Sequence, residues 1–434
     1  MMRTIDLRGR RPSATELLQL VPRPETDVAT VADAVRGIID DVRERGSAAL
    51  LDQAERFDGV RPATLRVPAE DLAGAVAKLD PTVRAALEEA IVRVRAASAA
   101  QVPAGAVTML GDGAEVRQRW QPVRRVGLYV PGGTAVYPSS VVMNVVPAQV
   151  AGVESIALVS PAQREFGGVH PVILGAAALL GVDEVYAIGG AGAVGALAYG
   201  VPDLGLEPVQ KITGPGNVFV AAAKRLVQGV AGIDAEAGPT EILVIADATA
   251  DPRHVAADLV SQAEHDDLAA AVLVTDSAEL AERTLVEIER RAALTERSER
   301  VLVALRGPQS AVVLVDDLEQ AAAVSDAYGP EHLEVQTADP EALLPRLSNA
   351  GAIFLGAHTP VSLGDYLAGS NHVLPTGGQS RYGAGLGAYA FLRPQQIIRY
   401  DRGALQEVAE RLGALARAEG LPAHAEAVEA RFED

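Results

Sequence analysis

Residues 241–276 read EILVIADATADPRHVAADLVSQAEHDDLAAAVLVTD, and this stretch decides the fold. A short apolar run (241–247) is followed by a polar turn and by a helical pattern with apolar positions three and four apart (252–266). A second short apolar run (270–276) closes the unit, spelling strand, helix, strand. Runs that are apolar throughout, rather than alternating, suit strands covered on both faces, as in a parallel sheet.

The same rhythm continues downstream. Helix AELAERTLVEIERRAAL (278–294), strand AVVLVDD (311–317), helix LEQAAAVSDAYG (318–329) and strand EHLEVQT (331–337) follow. Helix PEALLPRLSN (340–349) and strand AIFLG (352–356) complete the series. Upstream, VGLYV (126–130), SIALVS (155–160) and EVYAIGG (184–190) form another set of strands, with HPVILGAAALLG (170–181) as a crossover helix. Two α/β units with mostly parallel sheets are expected. Residues 31–59 and 80–101 read as long amphipathic helices, and residues 4–24 as a short polar arm. After Pro375 the chain turns glycine-rich (TGGQSRYGAGLGAYAFLRP, 376–394), then gives a helix at 403–420 that stands apart and suits packing on a second subunit. The expected organisation is an arm at 1–24, a discontinuous first α/β domain at 25–125 plus 241–378, a second at 126–240, and a helical tail at 379–434.

The composition narrows the chemistry. A formal net charge of -19 argues against nucleic acid and anionic membrane surfaces. No apolar run is long enough to span a bilayer, and the N-terminal MMRTIDLRGRR has no signal-peptide core, so a cytoplasmic location is expected. The chain has no cysteine. Disulfides, zinc–thiolate sites and Cys nucleophiles are excluded together. Any oxidation of an aldehyde to an acid must therefore pass through water attack and a hydrate.

Seven histidines can each be weighed. His170 and His254 open helices and read as capping or surface residues; His358 reads as a loop residue. His265, His332, His372 and His424 remain. Gln262 and His265, three apart at a helix end, share a face; alone they read as a polar helix end. Asp365 follows a buried strand in a Gly-bracketed loop, and alone reads as a turn-former. Glu331–His332 is more pointed: a Gly–Pro turn delivers an adjacent acid and imidazole at the mouth of an apolar strand, a useful arrangement for acid–base work near neutrality. Gly190–Ala–Gly192–Ala–Val–Gly195 formally matches G-x-G-x-x-G, but position 210, where an acidic ribose partner is expected, is Gln. In so glycine-rich a chain the match reads as chance.

Seven segments in order, GLYVPGG, KITGPGNVFV, AGPTEILVIAD, SQAEH, GPEHLEV, GDYLAGSNHVLPT and EGLPAH, resemble the histidinol dehydrogenase family over nearly the whole chain. The resemblance implies two incomplete Rossmann-like domains of the aldehyde-dehydrogenase-like class in an intertwined homodimer. It implies oxidation of L-histidinol through the aldehyde to L-histidine, with NAD+ as co-substrate and one Zn2+ per subunit. Carried over, the metal ligands are Gln262, His265, Asp365 and His424, a set that discriminates weakly against manganese or cobalt. His332 matches the base for both oxidations and Glu331 the group that activates water. Thr240, His372 and Glu419 fall at substrate positions, together with Gln262, His265, His332, Asp365 and His424. Tyr129 and Asn217 match NAD contacts, but Gly192 stands where the family usually has a Gln contact. Glu419 and His424 are expected to serve a partner's site. The alternatives are a paralogous dehydrogenase for another small polar alcohol, and a non-catalytic metal- or small-molecule-binding protein.

Overall fold

The six residues of Glu241–Ala246 are all buried, and alternate side chains enter two different cores. Ile242, Val244 and Ala246 pack with Val255 and Leu259 on one side; Leu243 and Ile245 pack with Val324 and Leu333 on the other. Burial on both faces is why this strand reads as an unbroken apolar run. In the computed structural model, which describes residues 2–21, 23–24, 28–132, 136–236 and 238–433, it lies within a six-stranded sheet. The order is Arg3–Asp6, Ala311–Leu314, Ala270–Thr275, Glu241–Ala246, His332–Gln336, Ala352–Leu355, and every pairing is parallel.

A second parallel sheet has five strands in the order Val185–Ala187, Ser155–Ser160, Arg125–Tyr129, Lys211–Thr213, Gly232–Ile233. Helices cover both of its faces, as crossovers between parallel strands require. An antiparallel sheet of Leu392–Tyr400, Ala114–Pro122 and Ala106–Gly111 projects from these layers. The terminal helices Arg402–Ala418 and Pro422–Glu429 pack on each other beyond it.

Several expectations change in the details. The expected organisation joins 25–125 to 241–378, but the helices of 25–125 cover the five-stranded sheet. Ala32–Arg45 packs on helices Gly190–Tyr199 and Val218–Val227, and Pro81–Ala100 on Pro138–Ala151. An amphipathic stripe shows that a helix has a face to bury, not which sheet buries it. The polar arm contains an edge strand, Arg3–Asp6, and the helical tail contains a strand of nine residues, Leu392–Tyr400. The segment expected as a helix at 340–349 is a 3-10 turn, Glu341–Arg346, with Pro345 inside it. Residues 25–27, at an expected boundary, and Gly133 and Ala237, from two quoted motifs, lie outside the described residues. Among the described residues no helix is long and apolar enough to cross a membrane.

Candidate active site

Helix Leu318–Tyr328 ends on Gly329, whose φ of +58° closes the last turn in the left-handed region, and Pro330 cannot continue the helix. The chain is thereby aimed into strand His332–Gln336, with Glu331 as the last residue before it. Glu331 and His332 are 6% and 4% exposed, so both side chains need partners inside the fold.

Glu241, the first residue of the neighbouring strand, supplies them with its backbone. Its N–H donates to Glu331 Oε2 at 2.9 Å, and its carbonyl lies 2.9 Å from His332 Nδ1. A carbonyl only accepts, so in the neutral ring Nδ1 carries the proton and Nε2 keeps its lone pair. Thr240 Oγ1 donates to the same Glu331 oxygen at 2.6 Å, and Gln262 Nε2 donates to Thr240 Oγ1 at 2.6 Å. His332 Nδ1 stands 3.6 Å from Glu331 Oε2. Both hydrogen bonds to Glu331 converge on Oε2. Burial pushes the Glu331 carboxyl up, against the opposing pull of His332, Thr240 and the Glu241 amide.

The pair opens into a cleft of about 500 Å³ between the two parallel sheets, at the carboxyl side of strand Arg125–Tyr129 and the amino side of Glu241–Ala246. Thr240, His265, Asp365 and His372 line it with Glu331 and His332, as do Tyr129 and Asn217. His372 Nδ1 lies 2.9 Å from the Asp365 carbonyl and its Nε2 lies 3.1 Å from Ser140 Oγ. By the same tautomer argument the hydroxyl donates to Nε2, and burial lowers the His372 pKa. The Gly214–Asn217 loop forms the opposite wall. Gly214 has φ +118°, and a Cβ there would sit 2.0 Å from the Tyr129 carbonyl oxygen, so only glycine fits. Its N–H donates to Asp234 Oδ2 at 2.8 Å, and Asp234 is paired with buried Lys224. Asn217 caps helix Val218–Val227 through Oδ1.

Nine of the eleven singled-out residues therefore stand in or directly behind one cleft. Gln262 is the one behind: it is buried on helix Pro252–Ala263, with His265 in the turn just past the helix end. Asp365 occupies the last turn of the short helix Val361–Tyr366, rather than a loop. Glu419 and His424 are exposed on the terminal helices and do not line this cleft. His170 caps a helix, accepting from Val172 N–H at Nδ1. Two residues with clear structural roles went unforeseen. Glu241 holds both members of the acid–imidazole pair, and Ser140 fixes His372. A backbone contact leaves no mark on residue type, so Glu241 had no signal to find.

The donors present suit a borderline divalent cation. Gln262 turns its amide nitrogen to Thr240, leaving Oε1 as the end available to a metal; His265 offers imidazole and Asp365 a carboxylate. Among the described residues, no three His, Cys, Asp or Glu side chains within the chain are close enough to hold an ion.

Beside the cleft, and sharing Tyr129, Gly132 and Asn217 with it, lies a second cavity of about 270 Å³. Ile38, Leu50, Phe57 and Ile188 give it apolar walls. Asp58, which burial pushes up to about 6, also lines it. None of its described lining residues is Lys or Arg.

Comparison with known proteins bears on what this geometry serves. A family model described as histidinol dehydrogenase matches residues 21–432. The chain is 68% identical to a histidinol dehydrogenase of Leifsonia xyli over the full length of both, and 58% identical to one of Nocardia farcinica over 99% of this chain and 97% of the other. The crystal structure of a histidinol dehydrogenase from Elizabethkingia anophelis superposes with a TM-score of 0.93 at 32% identity, covering 99% of this chain and 98% of that one. An acetylating aldehyde dehydrogenase from Geobacillus thermoglucosidasius, at 12% identity and a TM-score of 0.50 over 90% of this chain and 97% of that one, shares the fold alone. With the family model spanning nearly the whole chain and close relatives matching end to end, this chain belongs to the histidinol dehydrogenase family.

Proposed function

We propose that the protein is a zinc-containing, NAD-dependent histidinol dehydrogenase of the cytoplasm that oxidises L-histidinol to L-histidine in two steps within a homodimer. The observation that carries this reading is the Glu331–His332 pair, both held by the backbone of Glu241 at the edge of the cleft.

His332 Nε2 is the unprotonated nitrogen and takes the alcohol proton. When bound, NAD+ would supply the hydride acceptor for that carbon in both oxidations. Glu331 Oε2 accepts from the Thr240 hydroxyl and the Glu241 N–H, which leaves Oε1 for a water molecule. A carboxylate made more basic by burial is a better general base, and here it activates the water that hydrates the aldehyde. His332 then acts as base again on the hydrate. No cysteine is present to form a thiohemiacetal, so this water route is the one the chain's own groups support.

Gln262, His265 and Asp365 would hold the zinc ion, with His424 supplied by a second copy of the chain. When bound, the ion would supply a template that positions the substrate for oxidation. Thr240 and His372 shape the pocket around the substrate, and Glu419 of the second copy pairs with its ammonium group. Tyr129 and Asn217 border both cavities, which fits an extended dinucleotide lying across them. A carboxylate, and no Lys or Arg among the described lining residues, favours NAD+ over its phosphorylated analogue.

Surface area supports the dimer. The chain exposes 20256 Å², whereas a compact monomer of this mass exposes about 16,000 Å². Part of the surplus is apolar: Val107, Met109, Leu110, Ile398 and Leu415 are all exposed on the projecting sheet and terminal helices.

The test is NADH formation on adding histidinol. The reading requires two NADH per histidinol and loss of turnover on chelation, restored by Zn2+. One NADH per substrate, or turnover indifferent to chelation, would contradict it.

A further inference from the structure

The second cavity contains a side chain that the proposed function leaves without a task. Gln53, the last residue of helix Ser47–Gln53, lines it. Its amide nitrogen donates to the Ile38 carbonyl at 3.2 Å and reaches Asp41 Oδ2 at 3.4 Å. Reversing the amide would set oxygen against both of these acceptors, so the network fixes its orientation. The carbonyl end then lies over Gly192, where an added Cβ would stand 2.0 Å from Gln53 Oε1 and 3.4 Å from Leu50 Cδ2.

Gly192 sits in the first turn of helix Gly190–Tyr199 and is not among the residues with positive φ. The backbone there accepts any residue. What keeps a side chain out of this corner is Gln53, which fills it with an amide from a different helix.

Hydride transfer places the nicotinamide beside Glu331 and His332 in the larger cleft. The adenosine half then extends past Tyr129 and Asn217 into the smaller cavity. Apolar walls suit a purine ring, and the exocyclic amine and ribose hydroxyls of adenosine are donors that need acceptors. Gln53 offers an oriented acceptor at this place.

We propose that Gln53 is a further dinucleotide-contacting residue, accepting a hydrogen bond from the adenosine half of NAD over a glycine at position 192. This rests on the reading that NAD occupies the two adjoining cavities.

The experiment measures binding rather than turnover. Titration calorimetry of the metal-loaded protein is run with NADH, ADP-ribose and nicotinamide mononucleotide. Gln53→Met, which keeps the volume and removes the acceptor, weakens NADH and ADP-ribose about five- to tenfold and leaves nicotinamide mononucleotide within about twofold. Gly192→Gln alone crowds Gln53 and weakens NADH. Combined with Gln53→Ala it regains most of the affinity, because the new amide occupies the vacated corner. Unchanged ADP-ribose binding in Gln53→Met overturns the proposal, as does equal weakening of nicotinamide mononucleotide. Additive losses in the double variant do so too. If the unaltered protein binds neither NADH nor ADP-ribose, the NAD reading itself fails, an outcome distinct from the others.

Discussion

The acid–imidazole pair and the terminal helices are opposites in construction. Glu331 and His332 are buried, and Thr240 and Glu241 of their own chain orient them. Glu419 and His424 are exposed on helices that lean mostly on each other. One region is finished when a single chain folds. The other becomes useful only when something is placed against it. In our reading the chemistry of proton transfer is built in, while metal retention and substrate charge-pairing wait on assembly.

The largest expected effect falls on the finished half. His332→Ala removes the base for both oxidations, and turnover of histidinol and of histidinal each drops about 10²–10⁴-fold, read from NADH formation with each substrate. Glu331→Ala harms chiefly the second oxidation. Equal losses in the two half-reactions would break this division of labour. On the unfinished half, His424→Ala abolishes bound zinc, measured by atomic emission on the purified protein, while leaving the dimer intact. Retention of one zinc per chain would place the ligand elsewhere.

Thr240→Val probes the join between the two halves, since Thr240 links Gln262 to Glu331. Losing this hydroxyl removes a contact that holds the Glu331 carboxyl down, so its pKa rises further. Glu331 must be ionised to act, so the acid limb of the second oxidation moves to higher pH and the rate at neutrality falls about tenfold. An unmoved limb would show that Thr240 does not tune the carboxyl.

The smallest effect concerns the strand behind His332. Glu334 lies beside Asp258 in the core, and the Gln336 amide donates to Glu334 Oε1 at 3.0 Å. Burial pushes both carboxyls up. An acid whose folded pKa is raised binds its proton more tightly when folded, so stability is highest below the ordinary carboxylate range. It declines as pH rises from there through neutrality. Glu334→Gln flattens that decline and raises Tm by about 1–3 °C at pH 8. A slope unchanged by the substitution would dissociate the pair from pH-dependent stability.

Legibility in the sequence followed burial. Strands such as Glu241–Ala246, covered on both faces, announce themselves as apolar runs. The projecting antiparallel sheet does not, because Ala114–Pro122 and Leu392–Tyr400 are rich in Arg and Gln and carry little apolar pattern. The edge strand Arg3–Asp6 is too short and polar to stand out. Glu331 and His332 were legible because their turn, acid and imidazole are consecutive. Gln53 was not, since its meaning arises only where helix Ser47–Gln53 meets Gly192 across more than a hundred residues of chain.

The shared site is tested most directly by a mixed dimer. Chains carrying His332→Ala and His424→Ala are produced together with different affinity tags, and the heterodimer is isolated through both. One of its two sites then combines an intact His332 with an intact His424 from the other chain. A site shared between chains gives about half the wild-type activity and one zinc per dimer. A heterodimer as inactive as its parents would mean that His424 serves its own chain, which contradicts a shared site.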